Sequence, residues 1–375
     1  MSDHALLKLA RSHGVICADG GFATHLEDAL GASNLGDSPV WSASVLSESP
    51  HLIRQTHLDF LQAGAQIIGT ATYQACHAGF LDCGIEAERA TELMRLAIDL
   101  ADQARSSYLD SKSLQGKDRP LIALSLGPYG AYLRGGAEYT GDYLGVTQDD
   151  LVSFHYDRLR IFADAPETWA KIDIVALETL PRIDEAEAIL TALDRLAERN
   201  GQGFKLKLKP AYVSFVFPSG ETLPKGGEET GLHTQNGLKA LVDLLGTKGR
   251  WGLSGLGINC TKAKYLPALV SELTARLRER IAADGALEAF LFLEPDGGLV
   301  YDGNARTWSA PEDENDDPSS SVQRWQKGLI NTLHQATSVN SEDVKPWTGI
   351  VLGGCCKATT SHISALRRAI DSLPR

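Results

Sequence analysis

The chain has 375 residues, 43% of them hydrophobic and 22% charged, with a net charge of -12. That is ordinary globular composition with length for a full core. The acidic balance argues against nucleic acid or an anionic membrane surface as partner, and no apolar stretch is long enough to span a bilayer. The N-terminal stretch "MSDHALLKLARSHGV" lacks a signal-peptide core, so a cytoplasmic location is expected. Six cysteines in a chain of this length do not make a disulfide framework.

Eight short apolar runs follow one another along the chain. They are "VICADG" at 15–20, "AQIIGTATY" at 65–73, "PLIALSLG" at 120–127, "IDIVALET" at 172–179, "KPAYVSFVF" at 209–217, "LSGLGINC" at 253–260, "AFLFLEP" at 289–295 and "GIVLGGCC" at 349–356. They show little alternation, as expected of strands covered on both faces. Helical patterns lie between them, at 49–64, 85–109, 182–201 and 234–249, and a last one closes the chain at 361–373. The first carries Ser49 as N-cap, Pro50 at the first helical position and Gly64 just past the end.

Eight strand candidates with helices between them predict a (β/α)8 TIM barrel, one α/β domain over 1–375. A doubly wound sheet is the competing arrangement. It usually carries a Gly-rich phosphate turn after the first strand, whereas this strand runs into Asp19-Gly20-Gly21-Phe22-Ala23-Thr24, and no Walker A sequence occurs. Residues 302–347 include "APEDENDDPSSS" and read as an acidic, solvated loop insertion between the seventh and eighth strands.

In such a barrel the reactive groups sit at the C-terminal ends of the strands. Here those ends carry Asp19, Thr70 and Thr72, Glu178, Asn259-Cys260 and Cys355-Cys356. Three cysteine sulfurs meeting at one mouth can hold zinc and leave a fourth position open. Cys260 and Cys355 are far apart in sequence, so only the fold can assemble them. From spacing alone, zinc ligands, buried thiols and redox-active thiols all stay open. Successive residues in a strand face opposite ways, so the chain must bend for Cys355 and Cys356 to face one point, and Gly353-Gly354 are expected to supply that bend. Lys357 is placed to lower a thiol pKa.

The stretches "DGGFATHLE" (19–27), "TATYQA" (70–75), "SLGPYGAYLRGGAEYTGDY" (125–143), "ALETLP" (176–181), "GINCT" (257–261) and "GGCC" (353–356), in this order and spacing, resemble the homocysteine S-methyltransferase family over nearly the whole chain. The resemblance implies a zinc enzyme on a (β/α)8 barrel that methylates homocysteine to methionine. It implies Cys260, Cys355 and Cys356 as zinc ligands and Asp19 and Glu178 as carboxylates for the substrate amino group. It places Trp41 at the methyl-donor site. Glu138, Tyr129 and Tyr139 follow the third strand, where carboxylate and aromatic groups suit a cationic sulfonium donor. Thr24 and Asn259 are candidates for binding the substrate carboxylate or bracing a ligand.

Betaine-using relatives carry a tyrosine directly after the strand-four glutamate, where this chain has Thr179, and they have a C-terminal arm. Cobalamin-dependent relatives add domains that this sequence lacks. S-methylmethionine is therefore the expected donor, with S-adenosylmethionine as the alternative. A selenocysteine or selenohomocysteine methyltransferase, and a non-catalytic zinc or redox sensor on the same barrel, are the competing functions. A cysteine hydrolase would need a base near Cys355 or Cys356, and His362 is the nearest histidine in sequence.

Overall fold

The computed structural model describes residues 4–30, 38, 40–112, 119–199, 206–224, 234–246, 249–302, 307–309, 318–337 and 345–374. The strands in chain order are β1 (Val15–Cys17), β2 (Ile67–Gly69), β3 (Leu121–Leu126), β4 (Ile174–Leu180), β5 (Ala211–Phe215), β6 (Gly255–Asn259), β7 (Phe290–Glu294), β8 (Val300–Asp302), β9 (Thr307–Ser309) and β10 (Gly349–Leu352). Eight of them form one sheet in the order β1-β10-β7-β6-β5-β4-β3-β2, with every pair parallel. A parallel bridge between Ala18 and Ile67 brings β1 to β2 and closes the ring. All eight expected strands are present, and the architecture is the (β/α)8 barrel.

Alternation along each strand divides the core in two. Ile16, Ile174, Ala176, Tyr212, Phe290, Phe292 and Val351 point to the barrel axis, where Leu6, Leu7 and Leu9 of the helix Ala5–His13 join them. Their strand neighbours, such as Leu177, Val213, Leu291, Leu293 and Leu352, pack outward against the helices. The period of two therefore fixes which residues reach the mouth. Two positions beyond Ala176 stands Glu178, and two beyond Phe292 stands Glu294. Near the axis the rings of Tyr212 and Phe292 stack with centroids 3.6 Å apart.

The helix Pro50–Ala63 begins and ends as its sequence predicts, with Gly64 left-handed at φ 107°, although the Ser49 side chain makes no capping bond. The expected loop over 302–347 is corrected. It contains the antiparallel pair β8–β9 and a 20-residue helix, Pro318–Thr337. Trp325, Leu329, Leu333 and Ala336 of that helix are buried in the outer core at helical spacing. The acidic composition just before the helix hid this stripe. The acidic run itself, 310–317, lies outside the described residues, as do 303–306 and 338–344. Among the described residues, no helix is long and apolar enough to cross a membrane.

His57, on Pro50–Ala63, is fully buried against Phe22 at 4.8 Å, and neither ring nitrogen has a hydrogen-bond partner. Burial pushes its pKa down to about 3. Because the folded value lies below the unfolded one near 6.5, the unfolded chain binds the extra proton between them. Stability is then lost as pH falls from 6.5 towards 3, at up to about 1.4 kcal/mol per pH unit for this one group. A His57→Phe variant is expected to show a shallower decline of denaturant-measured stability over that window. An unchanged slope would remove His57 from the acid response.

Candidate active site at the barrel mouth

Cys260 follows β6, and Cys355 and Cys356 follow β10. Their three sulfur atoms all lie within 4.8 Å of one another. Cys260 and Cys355 are joined as a disulfide, with Cys356 beside them. The donor set is three soft sulfurs on adjoining loops, none sealed from solvent. Reduced, it matches the thiolate set that zinc prefers, at Zn–S distances of roughly 2.3 Å with a fourth position left for a substrate.

The turn that carries Cys355 and Cys356 is held from three sides. Gly354 N donates to Asp19 O, Cys355 N to Pro295 O, and Lys357 N to the Thr24 hydroxyl. Gly353 and Gly354, expected to supply a bend, have no positive φ and serve close approach. A Cβ on Gly354 would stand 2.3 Å from Ala358 Cβ, and one on Gly353 would stand 2.8 Å from Ala18 Cβ. The left-handed residue in this turn is Lys357, at φ 61°. Thr179 at φ 62° and Cys260 at φ 46° are also left-handed, at the ends of β4 and β6. Non-glycine residues in this region cost on the order of 1–3 kcal/mol each and persist where the surroundings hold them, commonly at functional sites.

Asn259 provides part of that hold. Its Oδ1 accepts from Thr179 N at 2.9 Å, and its Nδ2 donates to Thr179 Oγ1 at 2.8 Å. Thr24 is likewise committed, donating to Gly21 O at 3.0 Å while accepting from Lys357 N at 2.9 Å. Both residues brace the loops that carry the cysteines. Lys357 Nζ is tied to both oxygens of Asp28, so its charge is directed to that carboxylate. His362 caps its own helix at Thr359 and packs edge-on against Trp325, which removes it as a base for either cysteine.

Three acids share the strand ends, Asp19 buried and Glu178 and Glu294 partly buried. Asp19 Oδ2 accepts from Gly69 N at 2.9 Å. Glu178 accepts from Ser125 Oγ at 3.0 Å and from Tyr212 OH at 3.3 Å. Burial pushes Asp19 up to about 8, with Glu178 adding to the rise, and pushes Glu178 up to about 7. Glu294 is also held well above the carboxylate range, by burial and then by Glu178 and Asp19. Burial, then Asp296, then Glu138 push the Cys356 thiol up to about 12 against an opposing interaction with Tyr139.

A second group of side chains interacts with Cys356. Glu138 has a buried Oε2 with no hydrogen-bond partner, and burial raises its pKa. Tyr73, Tyr139 and Cys356 all interact electrostatically with it. Trp41 is half-buried and left-handed at φ 45°, and its side chain interacts with that of Glu27. Tyr129 belongs to an aromatic cluster with Tyr132, Tyr143 and Phe154, as packing rather than mouth. Tyr73, Ser125, Tyr212 and Glu294 were missed in the sequence, and alternation marks the last three as inward-facing only once the register is known.

The loops around the mouth are clamped from behind. Arg158 is 3% exposed, and its guanidinium donates to Ala75 O, Gly127 O, Thr72 O and Tyr73 O. Fully buried Glu185 accepts from Tyr129 N, Tyr143 OH and His155 Nε2. These contacts join the loops after β2, β3 and β4.

A parallel eight-stranded barrel with three cysteines and buried carboxylates at its C-terminal mouth has the layout of a metal-dependent barrel enzyme. The family model described as homocysteine S-methyltransferase matches residues 16–370. The chain belongs to the homocysteine S-methyltransferase family. It is 33% identical to homocysteine S-methyltransferase 2 of Zea mays, over 96% of this chain and 91% of the relative. It is 31% identical to the homocysteine S-methyltransferase YbgG of Bacillus subtilis (strain 168), over 90% and 95%. Among solved structures, the metallated form of the homocysteine methyltransferase MmuM from Escherichia coli superposes with a TM-score of 0.69 at 29% identity, covering 98% of this chain and all of that one. The oxidized form of the same enzyme gives 0.70 at 28% identity with the same coverage.

Proposed function

We propose that this protein transfers a methyl group from a sulfonium donor to the sulfur of L-homocysteine, giving methionine, with zinc held by Cys260, Cys355 and Cys356. One observation carries the reading: three cysteine sulfurs lie within 4.8 Å of one another at the strand ends of a barrel of this family. When bound, zinc supplies the positive charge that keeps an acceptor thiol deprotonated at neutral pH, where a free thiol is mostly protonated. Reduction of the Cys260–Cys355 bond is required before both sulfurs can serve.

The residues of the chain then bind and orient. Asp19 and Glu178 take the substrate ammonium, and an ammonium bound there relieves the electrostatic cost of two buried acids. Ser125 and Tyr212 hold the Glu178 carboxylate in place through their hydroxyls. Glu138, Tyr73 and Tyr139, which interact with Cys356, offer a carboxylate and aromatic rings to the cationic donor. Transfer forms a bond from the acceptor sulfur to the methyl carbon as the bond to the donor sulfur breaks. The electron pair stays on the donor, which leaves as a neutral thioether and needs no general acid. No Ser/His/Asp or Cys/His arrangement is therefore required, and alignment is what the protein contributes.

S-methylmethionine is the donor we favour, with S-adenosylmethionine as the alternative. The deciding experiment loads reduced, purified protein with zinc and measures methionine formed from homocysteine with each donor in turn. S-methylmethionine is expected to give the higher kcat/KM. Bound zinc with no methionine from either donor would instead support a sensor. Preferential turnover of selenohomocysteine or selenocysteine would move the acceptor to selenium.

A further inference from the structure

Glu294 closes the inward-facing column of β7, two residues beyond Phe292 and opposite Asn259 in the β6–β7 register. Its position directs the carboxylate to the same mouth as Asp19 and Glu178, and all three acids interact electrostatically. Asp19 and Glu178 each accept hydrogen bonds from the protein. The Glu294 carboxylate accepts none among the described residues, and the residue is only partly buried. No described lysine or arginine forms an ion pair with any of the three. Lys357 is tied to Asp28, and Arg158 is spent on backbone carbonyls.

A desolvated carboxylate with no protein partner, beside two others, is costly to keep. A ligand cation removes that cost: an ammonium has three donors and can serve three acceptors. We propose that Glu294 is a third carboxylate contact for the ammonium of the acceptor, which makes the pocket select amino thiols over thiols that lack the amine. The proposal rests on the homocysteine reading above and adds to it the group that sets acceptor specificity.

The test compares homocysteine with 4-mercaptobutanoate, which lacks only the amino group. Both are titrated calorimetrically into reduced, zinc-loaded protein without donor, and both are then assayed as methyl acceptors. Glu294→Gln is expected to weaken homocysteine binding about tenfold or more, the order expected for a charge-assisted hydrogen bond. The loss should appear in KM more than in kcat, and binding of 4-mercaptobutanoate should stay within about twofold. Glu294→Asp, which keeps the charge, should recover part of the loss. Zinc content and circular dichroism establish that each variant is folded and loaded.

Unchanged or tighter homocysteine binding by Glu294→Gln would overturn the proposal. Equal weakening of both ligands would also overturn it, because the amine would then not be what Glu294 reads. A wild-type protein that makes no methionine from homocysteine sinks the acceptor reading and this proposal together. A wild type that does so, alongside a Glu294→Gln variant with undiminished selectivity, sinks the proposal alone.

Discussion

Cys260→Ser is expected to abolish stoichiometric zinc binding and to lower methionine formation by about a thousandfold or more. Losing an outer partner of a metal ligand typically costs about 10–100-fold, so losing one of three ligands costs more. Serine is nearly isosteric with cysteine, but its hydroxyl is not deprotonated like a thiol and is a poorer match for zinc. Folding should survive, because Cys260 retains some solvent exposure and its backbone amide still donates to Glu294 O. Cys83→Ser is the control. Cys83 is exposed and ends the short helix His77–Asp82, and its loss should leave zinc and activity unchanged. Metal content by atomic absorption and donor-dependent methionine formation check both. Full zinc in Cys260→Ser would break the three-sulfur centre.

Arg158→Met should destabilise the protein by roughly 3–5 kcal/mol, the cost of stripping a buried charged group from its partners. Four backbone carbonyls in two loops would lose their donor at once, in a place where water has little access. Methionine fills much of the volume, so the loss reports hydrogen bonding more than a cavity. The guanidinium stays charged at neutral pH although burial lowers its pKa to about 10. Arg158→Lys should rescue little, since an ammonium cannot reproduce the planar fork that reaches all four oxygens. Urea unfolding gives the stability change. Two of those carbonyls belong to Thr72 and Tyr73, so KM for the sulfonium donor should rise in any Arg158→Met protein that remains folded. A variant as stable as the wild type would show that the loops hold themselves.

The barrel was legible because its evidence is local and repeated. Each strand announces itself by an apolar run, and the strand count fixes the fold. The cysteine cluster was legible by the same step, since knowing that strands end at one mouth brings distant residues together. Pro318–Thr337 was not, because an acidic run masked an apolar stripe that begins only at Trp325. For Thr24 and Asn259 the sequence left substrate contact and bracing open, because a short polar side chain at a strand end suits both. The bonds to Lys357 N and Thr179 N are bracing contacts that only the fold reveals. Glu294 was in plain view within "FLFLEP", but an inward glutamate on a strand cannot be told from an outward one until the register is known.

The attachment of Gly354 to Asp19 and of Lys357 to Thr24 joins the last barrel strand to the loop after the first. The same few residues that close the ring also carry two of the three sulfurs. Contacts so far apart in sequence are the slowest to form. A metal held by all three sulfurs would therefore be taken up only after β10 has joined the ring. A bound ion would serve as a certificate that the ring is shut.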